Sequence, residues 1–417
     1  MKSLDSKLNV ATSRRALFAP GLLALLTPTF AAKAGKPDAN ITVGGLFSLT
    51  GNSSDLGNQC SLMMKIASGD LAPLLQDYNA SPPAKEQGVA FELLVEDTQL
   101  DPQKAATAAA RLIHRGAQFL IGPQTSAEVS QVKTITDAAG IALISPGSTA
   151  STLSIPNDTV FRFVPDDTLE AKAVAQVAAS EGIQAICPVW RGDDGNRGLV
   201  NSLKQFGPGL GIAVSQGLEF PASGANFASL ASSLAGIVAT LKATSSLNQI
   251  AIFLAAFDRG ADLLSAASAF PDLGAIKWYA GDGVTLSSAY LAPGPAQFAS
   301  ATRLLAPSLA LPAEAKRLVD PVLAQTAAAG VPSPVPFAFA AYDGFVCATL
   351  AWLLASGCRT KVRNILPEVA KMHFGTTGWT RLNTAGDRAI GTFEFFGIVN
   401  AMGSWQWKGL LSAEVSN

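Results

Sequence analysis

From Ile41 onward, short apolar runs alternate with stretches of helical periodicity, and caps and glycines mark the boundaries clearly. The run Val89 to Val95 reads as a strand. Asp101-Pro102 then supplies an N-cap followed by proline at the first helical position. An Ala-rich helix runs from there to His114-Arg115, and Gly116 closes it. Gln118 to Ile121 reads as the next strand, and Thr125-Ser-Ala-Glu128 is a capping-box pattern opening a helix that ends at Gly140. The strand Ile141 to Ile144 stops at Ser145-Pro-Gly-Ser-Thr149. Strand and helix in strict alternation, with short loops, predict right-handed crossovers and a parallel sheet covered on both faces.

The pattern then restarts. Phe161 to Val164 predicts a strand, Asp167-x-x-Glu170 caps a helix ending at Gly182, and Ala185 to Val189 predicts a buried strand. A helix near Gly195 to Phe206, a strand near Ala213 to Phe220, a helix from about Asn226 to Leu241 and the strand Ile250 to Leu254 follow. The helix Arg259 to Phe270 and the strand Ile276 to Ala280 complete a second α/β unit. Beyond residue 300 the pattern gives a strand (Ala301 to Leu305) and helices near Ala313 to Ala329, Phe337 to Ala355 and Val362 to His373. Two alternating strands, Ile390 to Ile398 and Ser404 to Lys408, close the chain around a turn at Ala401-Met-Gly403. With no low-complexity linker between them, the two halves are expected to be joined by several chain crossings.

Composition narrows the functional classes. Of 417 residues 48% are apolar and only 15% charged, which excludes a disordered polyelectrolyte. The 30 basic and 31 acidic side chains leave no electrostatic footprint for nucleic acid. A mean hydropathy of +0.28 raises the question of a membrane. Residues 1 to 34 carry Lys2, Lys7, Arg14 and Arg15 ahead of an apolar stretch from Ala16 to Ala32, the order of an export signal. Ser13-Arg14-Arg15-Ala16-Leu17-Phe18 resembles the twin-arginine version, although the order after the arginines departs from the usual one. A membrane anchor is the competing reading; Pro20, Gly21 and Pro28 interrupt a run shorter than the roughly 20 residues a bilayer needs. Without the leader, which holds five basic residues and Asp5, the net charge moves from -1 to about -5. Phe337 to Gly357 is a second apolar stretch, and Asp343 near its centre favours a buried core helix over a span.

Catalytic signatures are sparse. The chain has no GxGxxG after the first strand, no GxxxxGK[ST] loop and no GxSxG elbow. Its two histidines, His114 and His373, each stand two residues before a glycine that ends a helix, where a cation complements the helix dipole; both read as surface residues. Cys60, Cys187, Cys347 and Cys358 fall at no ligand-like spacing and are expected as mostly free, buried thiols, so neither a metal site nor a cofactor is expected. A binder remains. Ligands of parallel α/β sheets sit beyond the carboxyl ends of the strands, where loops enter helix N-termini. Gly122-Pro-Gln-Thr-Ser126 and Ser145-Pro-Gly-Ser-Thr149 fit that description as a carboxylate cradle; ordinary helix capping explains the same residues.

Several blocks in consistent order carry a resemblance. They are Glu92-Leu-Leu-Val-Glu-Asp97, Asp101-Pro-x-Lys104, Leu120-Ile-Gly-Pro123, Ile144-Ser-Pro-Gly-Ser-Thr149-Ala and Phe161-Arg-x-Val-Pro165. Trp278-Tyr-Ala-Gly-Asp282-Gly, Ala341-Tyr-Asp-Gly344 and Gly391-Thr-Phe393 continue the series. Together, over about residues 40 to 410, they resemble the type I periplasmic solute-binding proteins, in the leucine/isoleucine/valine-binding branch of ABC importers. That resemblance implies an α/β fold of two doubly wound parallel-sheet lobes joined by a multi-strand hinge, closing on a ligand in the cleft. The lobes would comprise residues 40–163 plus 306–378 and residues 164–305 plus 379–417.

Carried over by position, Ser126, Gly147 and Thr149, with Ser148 between them, resemble the residues holding a ligand's α-carboxylate and α-amino groups. Asp282 resembles the acid that accepts the ammonium, while an ordinary Asp-Gly turn is the alternative. Three further ligand positions depart from the family: Leu56 stands where an aromatic residue is common, and Gly195 and Phe257 stand where tyrosines are. Two polar anchors are thereby lost. Gly195 would enlarge the pocket, and Trp190 either fills that space or belongs to the core. The implied function is an exported, monomeric binding protein that delivers an amino-acid-like or carboxylate solute to an ABC permease in the inner membrane. The alternatives are a sensor for amides, urea or aromatic acids feeding a regulator, and an exported enzyme built on Asp193 and Asp194.

Overall fold

The computed structural model describes residues 40–50, 54–79 and 90–416; the export leader expected over residues 1 to 34 lies outside them. In chain order the elements begin β1 (Asn40–Phe47), α1 (Ser54–Asn79), β2 (Ala90–Asp97), α2 (Pro102–His114) and β3 (Phe119–Ile121). Next are α3 (Ser126–Ala139), β4 (Leu143–Ser145), β5 (Val160–Arg162), α4 (Asp167–Ser180) and β6 (Ala185–Arg191). Then come α5 (Asp194–Phe206), β7 (Ala213–Val214), β8 (Leu218–Phe220), α6 (Phe227–Leu241) and β9 (Ile250–Ala255). They are followed by α7 (Gly260–Ala267), α8 (Pro271–Ala275), β10 (Lys277–Ala280), α9 (Pro293–Ala301) and β11 (Ala306–Leu309). The chain ends with α10 (Lys316–Ala328), α11 (Pro336–Leu354), α12 (Arg359–Met372), β12 (Phe374–Gly375), β13 (Gly378–Trp379), β14 (Ile390–Ala401) and β15 (Ser404–Ser416).

The helix starts follow local chemistry. Asp101 accepts from Gln103 N and Lys104 N ahead of Pro102, and Thr125 and Glu128 form the reciprocal capping box of α3, which ends at the left-handed Gly140. The cap of α4 is Asp166, one residue earlier than the Asp167-x-x-Glu170 pattern implies. Glu170 is thereby released from capping and turns to a partner 112 residues away.

Two compact units result. The first comprises residues up to Thr149, Leu153–Pro165 and Leu311–Ile390. Its sheet runs β2-β1-β3-β4-β5, with every pairing parallel. The second comprises Ala150–Thr152, Asp166–Ala310 and Gly391–Asn417. Its parallel sheet runs β10-β9-β6-β7, with β8 also on β6, and a sheet β11-β14-β15 accompanies it. The central strands of both units are buried on both faces, which accounts for the apolar composition without a membrane.

Several boundaries differ from the sequence reading. Residues 379–390, expected with the second lobe, pack in the first unit: Arg388 donates to Phe163 O at 3.0 Å and to Thr377 Oγ1 at 2.8 Å, and Asp387 pairs with Arg162 at 2.5 Å. Residues 306–310, expected with the first lobe, belong to the second unit because β11 pairs antiparallel with β14. The strand expected over Ala301 to Leu305 begins only at Ala306, since α9 continues to Ala301 and Thr302 Oγ1 bonds back to Phe298 O. The strand expected near Ala213 to Phe220 is split at Gly217, whose φ of 73° and approach to Pro188 O leave no room for a side chain.

Among the described residues α11 is the helix long and apolar enough to cross a membrane, and it lies buried within the first unit. Asp343 at its centre accepts from the backbone N–H and hydroxyl of both Thr376 and Thr377, at 2.6 to 2.9 Å. Burial raises the Asp343 carboxyl, but His373 and the Thr377 donors outweigh it and hold it below the usual carboxylate range. His373 corrects the reading of a surface histidine. The chain folds back after it, so its ring is buried with Nε2 3.7 Å from Asp343 Oδ1, whereas His114 is exposed in the last turn of α2. Cys60, Cys187 and Cys347 are buried free thiols and Cys358 is a half-buried one.

The Arg162–Asp387 ion pair is fully buried and ties the returning segment to the edge strand β5, where Arg162 N also donates to Gly386 O at 2.9 Å. Removing one charge strands the other in the core. Asp387→Ala is expected to destabilise the protein by about 3 to 5 kcal/mol, read as a lower urea-unfolding midpoint. A midpoint unchanged from the parent would contradict this role.

Candidate functional site

A parallel sheet sends all of its strand-to-helix turns out at one edge, and each unit builds its candidate residues there. In the first unit the turn after β1 is fixed by Asp97, the last residue of β2. Leu49 N and Thr50 Oγ1 donate to the Asp97 carboxylate at 2.8 and 2.6 Å. The raising effect of burial on Asp97 is outweighed by hydrogen bonds from Thr50, Leu49 and Gln99, which hold its carboxyl below the usual range. Ser48 N donates to Gln124 Oε1 at 3.2 Å, joining the turns after β1 and β3. Gly122 is at φ 91°, and a side chain there would strike Leu46 O, so the third turn closes only with glycine.

Ser126, the first residue of α3, and Ser148, in the turn after β4, meet with their hydroxyl oxygens 3.0 Å apart. Ser148 is buried, while Ser126, Gly147 and Thr149 are half-buried. Ser145 organises this turn. Its hydroxyl donates to Pro123 O at 2.7 Å and accepts from Ser148 N at 3.1 Å. The Ser148 amide is thus taken within the loop, beside the meeting of the Ser126 and Ser148 hydroxyls. The second loop also enters only a single 3-10 turn, Ser151–Leu153, whereas the first enters the full helix α3. Leu56 is half-buried on the first turn of α1. A surface cavity of about 350 Å³, lined by Asp97, Gln99, Gln103, Lys104, Thr107 and Arg111, shares only Asp97 with this group.

In the second unit the register sets Trp190 of β6 beside Ala255 of β9, and Leu254 beside Ala280 of β10. Arg191, Phe257 and Asp282 therefore leave neighbouring strands at one edge. Gly195 lies in the first turn of α5, and a Cβ placed on it would approach only Asp193 Oδ1, at 3.6 Å. Trp190 is core: it packs in the cluster with Leu169 and Phe253, and its indole N–H donates to Glu219 at 2.9 Å. Asp193 caps α5 by accepting from Asn196 N at 3.0 Å, a structural duty for a carboxylate considered for catalysis.

Asp282 is half-buried, and burial pushes its carboxyl up to about 6 against a hydrogen bond from Gly283 N. Its own backbone N–H donates to Glu170 Oε1 at 2.9 Å. Burial, then the charges of Asp282 and Asp167, push Glu170 well above the usual range. The two carboxyls titrate as a pair. Sequence reasoning took Glu170 for a helix cap and gave Arg191 no role; the strand predicted over Ala185 to Val189 continues to Arg191 in the structure.

This architecture is the type I periplasmic binding fold. The chain belongs to the family described as the receptor family ligand binding region, which matches residues 75–397. An ABC transporter substrate-binding protein from Desulfitobacterium hafniense, solved with leucine, shares the fold at a TM-score of 0.67 and 20% identity, over 88% of this chain and all of that one. The branched-chain amino acid transporter substrate binding protein LivJ of Streptococcus pneumoniae, solved with isoleucine, aligns at 0.62 and 18%, over 91% of this chain and all of its own. A solute binding protein of Rhodopseudomonas palustris, solved with 3,4-dihydroxybenzoic acid, aligns at 0.65 and 13%, over 91% and 99%. An uncharacterized protein of Methanocaldococcus jannaschii is 30% identical over 191 residues, 43% of this chain; the match spans 44% of that relative's length. Family and fold are those of binding proteins.

The raised Asp282 carboxyl has a consequence for stability. Its folded value, about 6, lies above its ordinary 3.8, so the folded state takes up the proton first and stability rises as pH falls from 7 toward 5. Asp282→Asn is expected to flatten that rise in thermal melts of the unliganded protein. An identical pH dependence in the two proteins would contradict the raised carboxyl.

Proposed function

We propose that this protein captures a small amino-acid-like or carboxylate-bearing solute outside the cytoplasm and delivers it to an ABC permease in the inner membrane. The observation that carries the reading is the chemistry each unit gathers at its own sheet edge. One unit offers the paired Ser126 and Ser148 hydroxyls for a carboxylate, and the other offers Asp282, a half-buried acid suited to an ammonium group. In this reading Gly147, Thr149 and Leu56 complete the first surface, and Phe257 and Gly195 the second. The leucine, isoleucine and dihydroxybenzoate in the solved neighbours support a small carboxylate as the ligand class. The basic and apolar leader over residues 1 to 34 supports export, and the net charge near -5 without it suits a secreted monomer.

A thermal-shift screen of the purified protein with amino acids, amides and aromatic acids tests the proposal. One or a few solutes are expected to raise the melting temperature, since a ligand at 100 times its Kd adds about 2.7 kcal/mol. Asp282→Asn is expected to weaken amine-bearing solutes selectively, by roughly tenfold or more. No shift with any of these solutes would overturn the capture reading.

A further inference from the structure

Two arginines at the carboxyl edge of the second unit have opposite fates. Arg197 on α5 is saturated: its guanidinium bonds both oxygens of Glu219, at 2.9 and 3.2 Å, and meets Asp194 at 3.0 Å. Arg191, the last residue of β6, is held more loosely. Its closest carboxylate is Asp193 at 3.6 Å, beyond hydrogen-bond length, and Asp193 is already held by the N–H and side chain of Asn196. Among the described residues the Arg191 guanidinium makes no hydrogen bond to a protein acceptor. It stacks on the ring of Phe257, 5.2 Å from the centroid, with that ring 46% exposed. Its side chain is 32% exposed.

The other charges near Phe257 are engaged elsewhere. Asp258 accepts from Ser287, and Arg259 pairs with Asp262 over the ring of Phe227. Gly195 leaves open space in the first turn of α5, where a side chain would meet nothing but Asp193. A planar cation is therefore held by an aromatic ring, with only a long ion pair to Asp193 and no hydrogen bond to a protein acceptor among the described residues. A guanidinium fork matches a carboxylate bidentately, and desolvating it against an aliphatic side chain with no acceptor is unfavourable.

We propose that Arg191, positioned by Phe257, determines specificity, and that the solute carries an anionic group in addition to its α-carboxylate: an acidic amino acid or a dicarboxylate. The assignment rests on the solute-capture reading and narrows it. A neutral branched-chain amino acid is disfavoured because its side chain would leave the guanidinium unpaired. Discrimination then comes from a difference in pairing rather than from shape alone.

Isothermal titration calorimetry of the full chain with L-glutamate, L-aspartate, succinate, L-glutamine, L-leucine and benzoate tests the assignment. An acidic solute is expected to bind on the order of 100-fold more tightly than its neutral counterpart, glutamate against glutamine being the isosteric pair. Arg191→Met is expected to erase that preference while leaving the melting temperature of the unliganded protein near the parent value. Arg191→Lys is expected to restore part of it. Tighter binding of leucine, glutamine or benzoate by the parent, or an acid preference that survives Arg191→Met, overturns the assignment and leaves solute capture standing. If none of the six binds while other solutes do, the assignment also falls alone. If nothing binds in either this panel or the wider thermal screen, the capture reading falls with it.

Discussion

Parallel strand pairing is the constraint from which the rest follows. Parallel neighbours cannot be joined by tight hairpins, so each connection returns across a face of the sheet as a helix, and every outgoing turn emerges at the same edge. Residues scattered through the chain are thereby collected: Ser48, Asp97, Ser126 and Ser148 in the first unit, and Arg191, Phe257 and Asp282 in the second. Covering both faces demands strands that are apolar throughout. Polar groups capable of recognition are consequently confined to the turns, which is where the candidate residues lie.

Two sets of charged groups in the core of the first unit are held by partners there. Arg162 pairs with Asp387, and Asp343 takes donors from Thr376 and Thr377 beside the buried His373. The first pair joins residues 311–390, which return late in the chain, to strand β5, and the second cluster fixes α11 against the segment that follows α12 within that stretch. A core made only of Ala, Val, Ile and Leu would hold that segment without specifying its position, whereas a buried ion pair or a multiply bonded carboxylate tolerates only one. The cost of desolvating these charges is offset by charge-assisted hydrogen bonds.

At the strand-end turns of the second unit the electrostatics run the other way. Glu170 and Asp282 are close and poorly solvated, so neither ionises as readily as it would in water. A cation beside Asp282 would favour its charged form, as Asp193 beside Arg191 balances that guanidinium at 3.6 Å.

Element order, helix caps and the restart of the α/β pattern were all legible in the sequence, because each depends on interactions within about four residues: Asp101 with Lys104, Thr125 with Glu128, Asn226 with Ser229. The loops that carry most of the candidate residues were legible as strand-end turns for the same reason, and the roles proposed for them come from the resemblance of ordered motifs. Tertiary structure decided what depends on distant partners. His373 changes from a surface residue to a core residue because α12 folds back on α11, and Arg162 finds its acid 225 residues away. Glu170 serves Asp282 rather than its own helix, and Arg191 is stacked on Phe257 with Asp193 3.6 Å away. Local chemistry determines where a segment starts and stops. Which charges are satisfied is set by what packs beside them, and only the assembled sheets bring those neighbours together.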